Sequence, residues 1–434
     1  MRNILQHRGL RLIFIANLIS MIGSGMNSAG VTWFILQATH SEMALGTLLM
    51  LQTIPALLML PFTGVVIDRK DRRRLVMILD AARALVIFTI AMLAIKGLAT
   101  LWEIYLMAIL VAAGFWMFWP TINALIQELT PDSQFAHSNS FLLAGLQGGW
   151  LVAGAIVGFV YNHIGLGGVL LIDFATYVIS FTCYLFVRRG RHTVSVPESH
   201  HQERDAVARY FHELHEGIAY IRLRPRLLLM GCAWALFVGG MFTQGIITAP
   251  FSDRILVAGA VGYGWLNAGW AVGACTSAIL TPRMLRGTGH RRAIGISMAV
   301  LGSCLVALPF LGAALPRRIQ IGSLSIMLGL LAAVMVYCTM GCCRAFGGVG
   351  ITTSMMEMVP KHFMGRVQNT FYFAATCLQL GTSMLVGTIA HKRSLAEGFA
   401  IVGALYFLAC IAGTWPANDP VMARPSETAA ALES

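Results

Sequence analysis

The chain has 434 residues, 57% of them hydrophobic and only 12% charged, which is more apolar side chain than one soluble core can bury and excludes a soluble globular protein. The formal net charge is +12. Its Lys and Arg residues are sorted by loop rather than gathered into a patch, which argues against nucleic acid as a partner.

Twelve apolar stretches, each near the roughly 20 residues that cross about 30 Å of hydrocarbon, are predicted as transmembrane helices. They run over 11–37, 43–66, 75–96, 102–127, 140–162, 167–187, 227–250, 261–282, 293–314, 326–356, 368–390 and 396–415. The opening "MRNILQHRGLRLIFIANLISMIGSGMNS" starts basic like a secretory signal. Its apolar run is too long for one and lacks a small-residue cleavage site, so it reads as an uncleaved first span. With the N-terminus inside, the cytoplasmic loops hold 23 Lys and Arg and the outer loops 6. That is the asymmetry of the positive-inside rule, and both termini are expected in the cytoplasm.

Polar side chains within spans are costly and mark sites of work or of packing. In the first span Asn17, Ser20, Ser24, Asn27 and Ser28 share a face that should meet water or protein: a cavity wall, or a seam of small residues against another helix. The turn after the second span, "TGVVIDRKDRRRLV" at 63–76, combines Gly64 and Asp68 with Arg69, Arg72 and Arg73. There glycine permits close approach, the acid can meet a facing helix N-terminus, and the arginines can bind carboxylates or lipid phosphates. In the third span Asp80 and Arg83 lie one turn apart, as an ion pair would.

The fourth span, "FWMFWPTINALIQ", aligns Trp116, Trp119, Asn123 and Gln127 with Phe115 beside them, which suits a flat or amphipathic ligand or, failing that, ordinary bulky packing. Gly154 and Gly158 give the fifth span a close-packing spacing. Asp173, well inside the sixth span, is the leading candidate to take up and release a proton, with Asp80 second and a structural role as the alternative.

The long polar stretch 188–226 divides six spans from six. Within it Val207, Tyr210, Phe211, Leu214, Ile218 and Ile221 recur at helical spacing, an amphipathic helix for the cytoplasmic membrane face. His212 and His215 beside Glu216 read as a wet helix face rather than a metal site. The nine cysteines have neither metal-ligand nor disulfide spacing, so no metal and no cofactor is expected. The expected domains are a six-helix half at 1–187, a linker at 188–226, a second six-helix half at 227–415 and a disordered tail at 416–434.

Gln244 and Thr248 in the seventh span are lesser site candidates. The tenth span reads "YCTMGCCRAFGG" and sets Tyr337, Gly341, Arg344 and Gly348 on one face. An arginine at bilayer depth costs about 2.5–3.5 kcal/mol on insertion scales. Three roles fit Arg344: contact with a substrate anion, pairing with a buried acid such as Asp173, or membership of a cytoplasmic gate.

An internal repeat supports the halves. "ELTPDSQF" at 128–135 ends the fourth span and "EMVPKHFM" at 357–364 the tenth, pairing Glu128 with Glu357, Pro131 with Pro360 and, at the same offset, Phe115 with Arg344. "TPRMLRGTGHRRAI" at 281–294 echoes the 63–76 turn but carries Arg286 where Asp68 stands.

Gly64, Asp68, Arg69, Arg72 and Arg73 in that spacing resemble the signature of the major facilitator superfamily, approximately G-x-x-x-D-R-x-x-R-R, with Asp71 where many members have glycine. "THSEMALG" at 39–46, "EGIAYIRLRPRL" at 216–227 and "VPKHFMGRVQN" at 359–369 are similar to the exporter branch of enterobactin and macrolide efflux proteins. The resemblance implies an all-α membrane protein in the major facilitator fold, with twelve helices in two pseudo-symmetric halves. It also implies that the first and fourth spans of each half line a central cavity, and that the 64–73 turn acts as a conformational latch.

The expectation is therefore a monomeric secondary exporter of the bacterial inner membrane. It would move an amphipathic, anionic and aromatic small molecule of siderophore type by alternating access, against protons, among membrane lipids. The substrate candidates are Arg344, Tyr337, Phe115, Trp116, Trp119, Asn123, Asn17, Ser24, Asn27 and Gln244. A multidrug or macrolide pump and a lysolipid flippase are alternatives on the same fold, and a non-transporting receptor is one of a different class. No nucleophile–base pair or metal cluster marks an enzyme, and "GGVG" at 347–350 lacks the lysine of a phosphate-binding loop.

Overall fold

The computed structural model describes residues 8–129, 135–187, 203–314, 319–321, 324–326, 328–360 and 364–416. In chain order its helices are α1 (Arg8–Thr39), α2 (Glu42–Arg69), α3 (Arg72–Ile95), α4 (Leu101–Leu129) and α5 (Phe135–Leu185), then α6 (Glu203–Arg222) and α7 (Pro225–Pro250). α7 runs into a π-helical turn, Phe251–Ile255, and α8 (Gly259–Thr288), α9 (His290–Ala314), α10 (Leu328–Met358), α11 (Met364–Lys392) and α12 (Leu395–Thr414) follow. A small antiparallel hairpin, β1 (Ile319–Ile321) with β2 (Leu324–Ile326), joins α9 to α10, so the tenth span starts at Leu328 rather than 326.

The twelve predicted spans map onto α1–α5 and α7–α12 because α5 holds two of them. Gly165 interrupts its helical geometry at φ 62°, ψ −170°, a backbone region open essentially to glycine alone. The chain folds back there: Tyr161 and Val169, on either side of the turn, both lie over Gly30 of α1. Ten segments among the described residues are long and apolar enough to cross a membrane by composition alone. The outer wall is correspondingly greasy, with Leu85, Phe310 and Ile78 each more than 60% exposed, as a surface facing lipid rather than water requires.

Helix starts are set by local chemistry. Ser41 caps α2, Asp71 caps α3 by accepting from the Arg74 amide at 3.0 Å, Ser394 caps α12, and Pro225 opens α7. Asp71, a departure from the glycine common in the signature, thus does the work of a cap.

Two buried clusters hold α1–α5 together, around Ile35, Ile87 and Val169 and around Ile13, Phe118 and Tyr184. A third, around Phe251, Met298, Met340 and Phe399, holds α7–α12. The two bundles meet along α2 with α11 and α5 with α8. Close approach within the second bundle depends on Gly273 and Gly341, where a Cβ would overlap the backbone carbonyls of Cys338 and Trp270 respectively. Gly341→Val is expected to lower the melting temperature of the purified protein by several degrees in scanning fluorimetry, since overpacking costs about 1–3 kcal/mol.

The amphipathic helix at 188–226 is α6. It buries Tyr210, Leu214 and Ile221 and is pinned to α11 by Arg366 and Glu216 at 3.0 Å. His212 pairs with Glu216 at 3.4 Å on its exposed side, and no group of metal-ligating side chains occurs among the described residues.

Candidate functional site

Among the described residues, charge lies at two places deep within the spans. The first belongs to α3 and α5. Asp80 and Arg83 form the expected pair at 2.5 Å, fully buried. Ser180 donates to the second Asp80 oxygen at 2.7 Å, and Arg83 donates to the Tyr177 hydroxyl at 3.3 Å and to the Leu79 carbonyl. The guanidinium also lies over the rings of Phe118 (4.5 Å) and Tyr177 (4.6 Å), so its charge is compensated on every side. Gly114 on α4 makes room for its stem, for a Cβ there would come 2.8 Å from Arg83 Cδ.

Asp173 sits beside this network under different terms. It is fully buried, and its carboxylate accepts from the Asn27 amide at 2.6 Å and from the Thr176 hydroxyl at 3.4 Å. Both donors are neutral. Among the described residues no cation lies within ion-pair distance, so this is the carboxylate whose buried charge is least compensated.

Asn27 therefore faces α5 rather than an open cavity. Ser24 does the same, meeting the Tyr177 hydroxyl at 3.0 Å, and Asn17 and Ser20 are fully buried. At Ser24 and Asn27 the polar stripe of α1 is thus a hydrogen-bonded seam against α5.

The second cluster is Arg344 on α10. Its guanidinium lies 4.5 Å over the ring of Trp270 on α8, half-buried. No carboxylate pairs with it among the described residues, and Asp173, the proposed partner, is held by Asn27 instead. Pairing of Arg344 with Asp173 is thus ruled out in this conformation. Trp270 did not stand out in the sequence because nothing in its local pattern sets it apart from other aromatic residues of apolar spans; its spacing to Arg344 is tertiary.

Other predicted contacts divide. Phe115, Trp116, Trp119 and Asn123 are partly buried on α4, with Phe115 and Trp116 edge to face at 6.1 Å. The Asn123 amide donates to its own helix at the Trp119 carbonyl, 2.9 Å away. Tyr337 is only 2% exposed and donates to Thr248 at 3.0 Å, and Gln244 is buried on the same helix. Tyr337 and Gln244 therefore stitch α10 to α7, and Gly341 meets the α8 backbone. The side chain of Gln127 lies outside the described residues.

Of the proposed latch, the surroundings of Gly64 and the side chains of Asp68 and Arg69 also lie outside the described residues. Arg72 donates to the Ala124 carbonyl at 3.1 Å and Arg73 to the Tyr184 and Leu185 carbonyls at 2.7 and 2.6 Å. These two arginines satisfy carbonyls near the ends of α4 and α5, within one bundle, where positive charge and terminal carbonyls attract.

The comparisons agree with this geometry. The family model of the Major Facilitator Superfamily matches residues 13–384. An uncharacterized MFS-type transporter of Bacillus subtilis (strain 168), YkuC, is 26% identical over 94% of this chain and 92% of its own length. Macrolide efflux protein A of Streptococcus pyogenes is 21% identical over 55% of this chain and 56% of its own. Among solved structures the nucleoside transporter NupG superposes with TM-score 0.69 at 14% identity, over 94% of this chain and 98% of that one. A POT family transporter in complex with a thioalcohol-conjugated peptide reaches 0.67 at 14%, over 93% and 95%. Apolar spans, two abutting bundles and a family match over most of the chain lead to one conclusion: this is an integral multi-pass membrane transporter belonging to the Major Facilitator Superfamily.

Proposed function

We propose that the chain is a proton-coupled exporter of an amphipathic, anionic and aromatic small molecule, working by alternating access between the α1–α5 and α7–α12 bundles. The observation that carries the reading is Arg344: a guanidinium at span depth, 4.5 Å over the Trp270 ring and without an acid partner among the described residues. A forked cation on an aromatic plate suits a carboxylate or similar anion attached to a flat ring, the anion taking the fork and the ring extending the stack. The aromatic residues Phe115, Trp116 and Trp119 occupy the repeat-related position on α4 and would supply apolar contact from the other bundle. The sorting of Lys and Arg among loops puts the ends of the bundles nearest the chain termini in the cytoplasm.

Asp173 is the group assigned to the coupling proton, because its neutral partners Asn27 and Thr176 serve a protonated carboxyl as well as an ionised one. Asp173→Asn is expected to abolish substrate movement driven by an imposed proton gradient in proteoliposomes while leaving substrate counterflow, which needs no net proton transfer, at half the wild-type rate or more. Counterflow lost together with driven transport would remove Asp173 from the coupling step.

A macrolide pump is the second reading, favoured by the likeness to macrolide efflux protein A. Inside-out vesicles offered radiolabelled aromatic carboxylates and a macrolide in parallel distinguish the two. Accumulation of the carboxylates supports an anion exporter, and accumulation of the macrolide alone overturns it.

A further inference from the structure

The stretch "THSEMALG" has no role in the site above, and the structure gives its residues one. Thr39 ends α1, Ser41 caps α2 with its hydroxyl toward the Ala44 amide, and Glu42 follows as the first residue of α2. Glu42 is fully buried although it lies at the end of the bundles away from the chain termini. Its two carboxylate oxygens go to two different elements of the other bundle. Arg254, in the π-helical turn after α7, donates to one at 2.5 Å and also to the His40 carbonyl at 2.6 Å. His391, in the last turn of α11, reaches the other at 3.3 Å.

Just below, the two bundles touch backbone to backbone. A Cβ on Gly46 would come 2.7 Å from the Ser383 carbonyl, and one on Gly387 would come 2.9 Å from the Glu42 carbonyl. Deeper in, the Gln379 amide of α11 donates to Thr53 of α2 at 2.7 Å. On the other seam Gly158 of α5 packs on the Ala260 and Val261 backbone of α8, and Trp33 of α1 stacks with Tyr263 of α8, centroids 6.1 Å apart. The two bundles therefore touch along both seams at this end, and Glu42 is a charged group at the rim of the first.

We infer that Glu42, Arg254 and His391 form an ionic latch that closes the mouth away from the termini and must open for substrate to leave. The inference rests on alternating access by this chain and on no particular substrate. Closure buries Glu42 where the Arg254 guanidinium and the His391 ring of the other bundle meet it, while opening returns all three groups to water, so the triad stabilises the closed form alone. The partly exposed Arg254 supplies charge from the rim and His391 a ring nitrogen, and the glycines Gly46 and Gly387 permit the contact that makes the burial complete.

Hydrogen exchange by mass spectrometry on the full chain in nanodiscs tests this without any transport assay. Glu42→Gln and Arg254→Gln are each expected to speed amide exchange in residues 36–47 and 385–395 roughly tenfold, with the buried segment around Ile87 unchanged. The milder His391→Gln should raise the same two segments about threefold. The charge-reversed double variant Glu42→Arg/Arg254→Glu should recover at least half of the lost protection. Wild-type exchange in the single variants, or a double variant no better protected than either single, overturns the latch. Should a glutamine variant not fold, the histidine variant and the double variant decide in the same way. Failure to transport a given anion leaves this result untouched, so the latch and the substrate reading fail separately.

Discussion

Arg344→Ala is expected to weaken binding of an aromatic carboxylate by about ten- to a hundredfold, corresponding to loss of a charge-assisted hydrogen bond of about 1.5–3 kcal/mol. The effect should appear in equilibrium binding to purified protein and equally in the apparent KM for vesicle uptake, because both depend on the same contact. Arg344→Lys keeps the charge but loses the planar fork and much of the stacking on Trp270, so it should fall between wild type and alanine. Trp270→Ala should also lie between them, since the ring presents the guanidinium rather than bonding the anion. A neutral macrolide carried equally well by wild type and Arg344→Ala would place that compound elsewhere in the cavity. An aromatic carboxylate bound equally well by both would end the anion-site reading.

The second large effect concerns stability. Arg83→Leu is expected to leave little folded protein in the membrane. Asp80 would then be buried with only Ser180 to satisfy it, and Asp173 beside it with only Asn27 and Thr176. Removing one partner of a buried pair costs about 3–5 kcal/mol, comparable to a large share of a typical protein's net stability of about 5–15 kcal/mol. Arg83→Leu/Asp80→Asn removes both charges and keeps a hydrogen-bonding group beside Ser180, so it should regain most of the monodisperse material seen by size-exclusion chromatography. If the single variant melted within two degrees of wild type, the pair would be a surface-like contact despite its burial.

The contrast between these two arginines explains what was legible in the sequence. Hydropathy and the Lys/Arg asymmetry reveal spans because the bilayer imposes length and composition on each helix separately. The Asp80–Arg83 pair was legible because its members lie one helical turn apart. Trp270 beneath Arg344, and Asn27 beside Asp173, are separated by 74 and 146 residues and meet through helix packing that no local pattern encodes. The polar stripe of α1 was visible as a stripe, but periodicity says only that Asn17, Ser24 and Asn27 share a face. That α5 lies against the face, rather than water, is a tertiary fact. Likewise Arg72 and Arg73 were seen as a basic turn, while the carbonyls of Ala124, Tyr184 and Leu185 that they cap come from the ends of distant helices.

The turn at Gly165 makes two spans one mechanical part. One arm of α5 carries Gly154 and Gly158, which ride on α8 of the opposite bundle, and the other carries Asp173, Tyr177 and Ser180, which hold the buried charges. With a single residue between the arms there is no slack loop to absorb motion. A displacement at the seam must therefore be felt as torque at Asp173, much as a bent lever carries a push around its corner. Loosening that corner, for instance by inserting several flexible residues after Gly165, would leave both arms intact yet uncouple what one does from what the other feels.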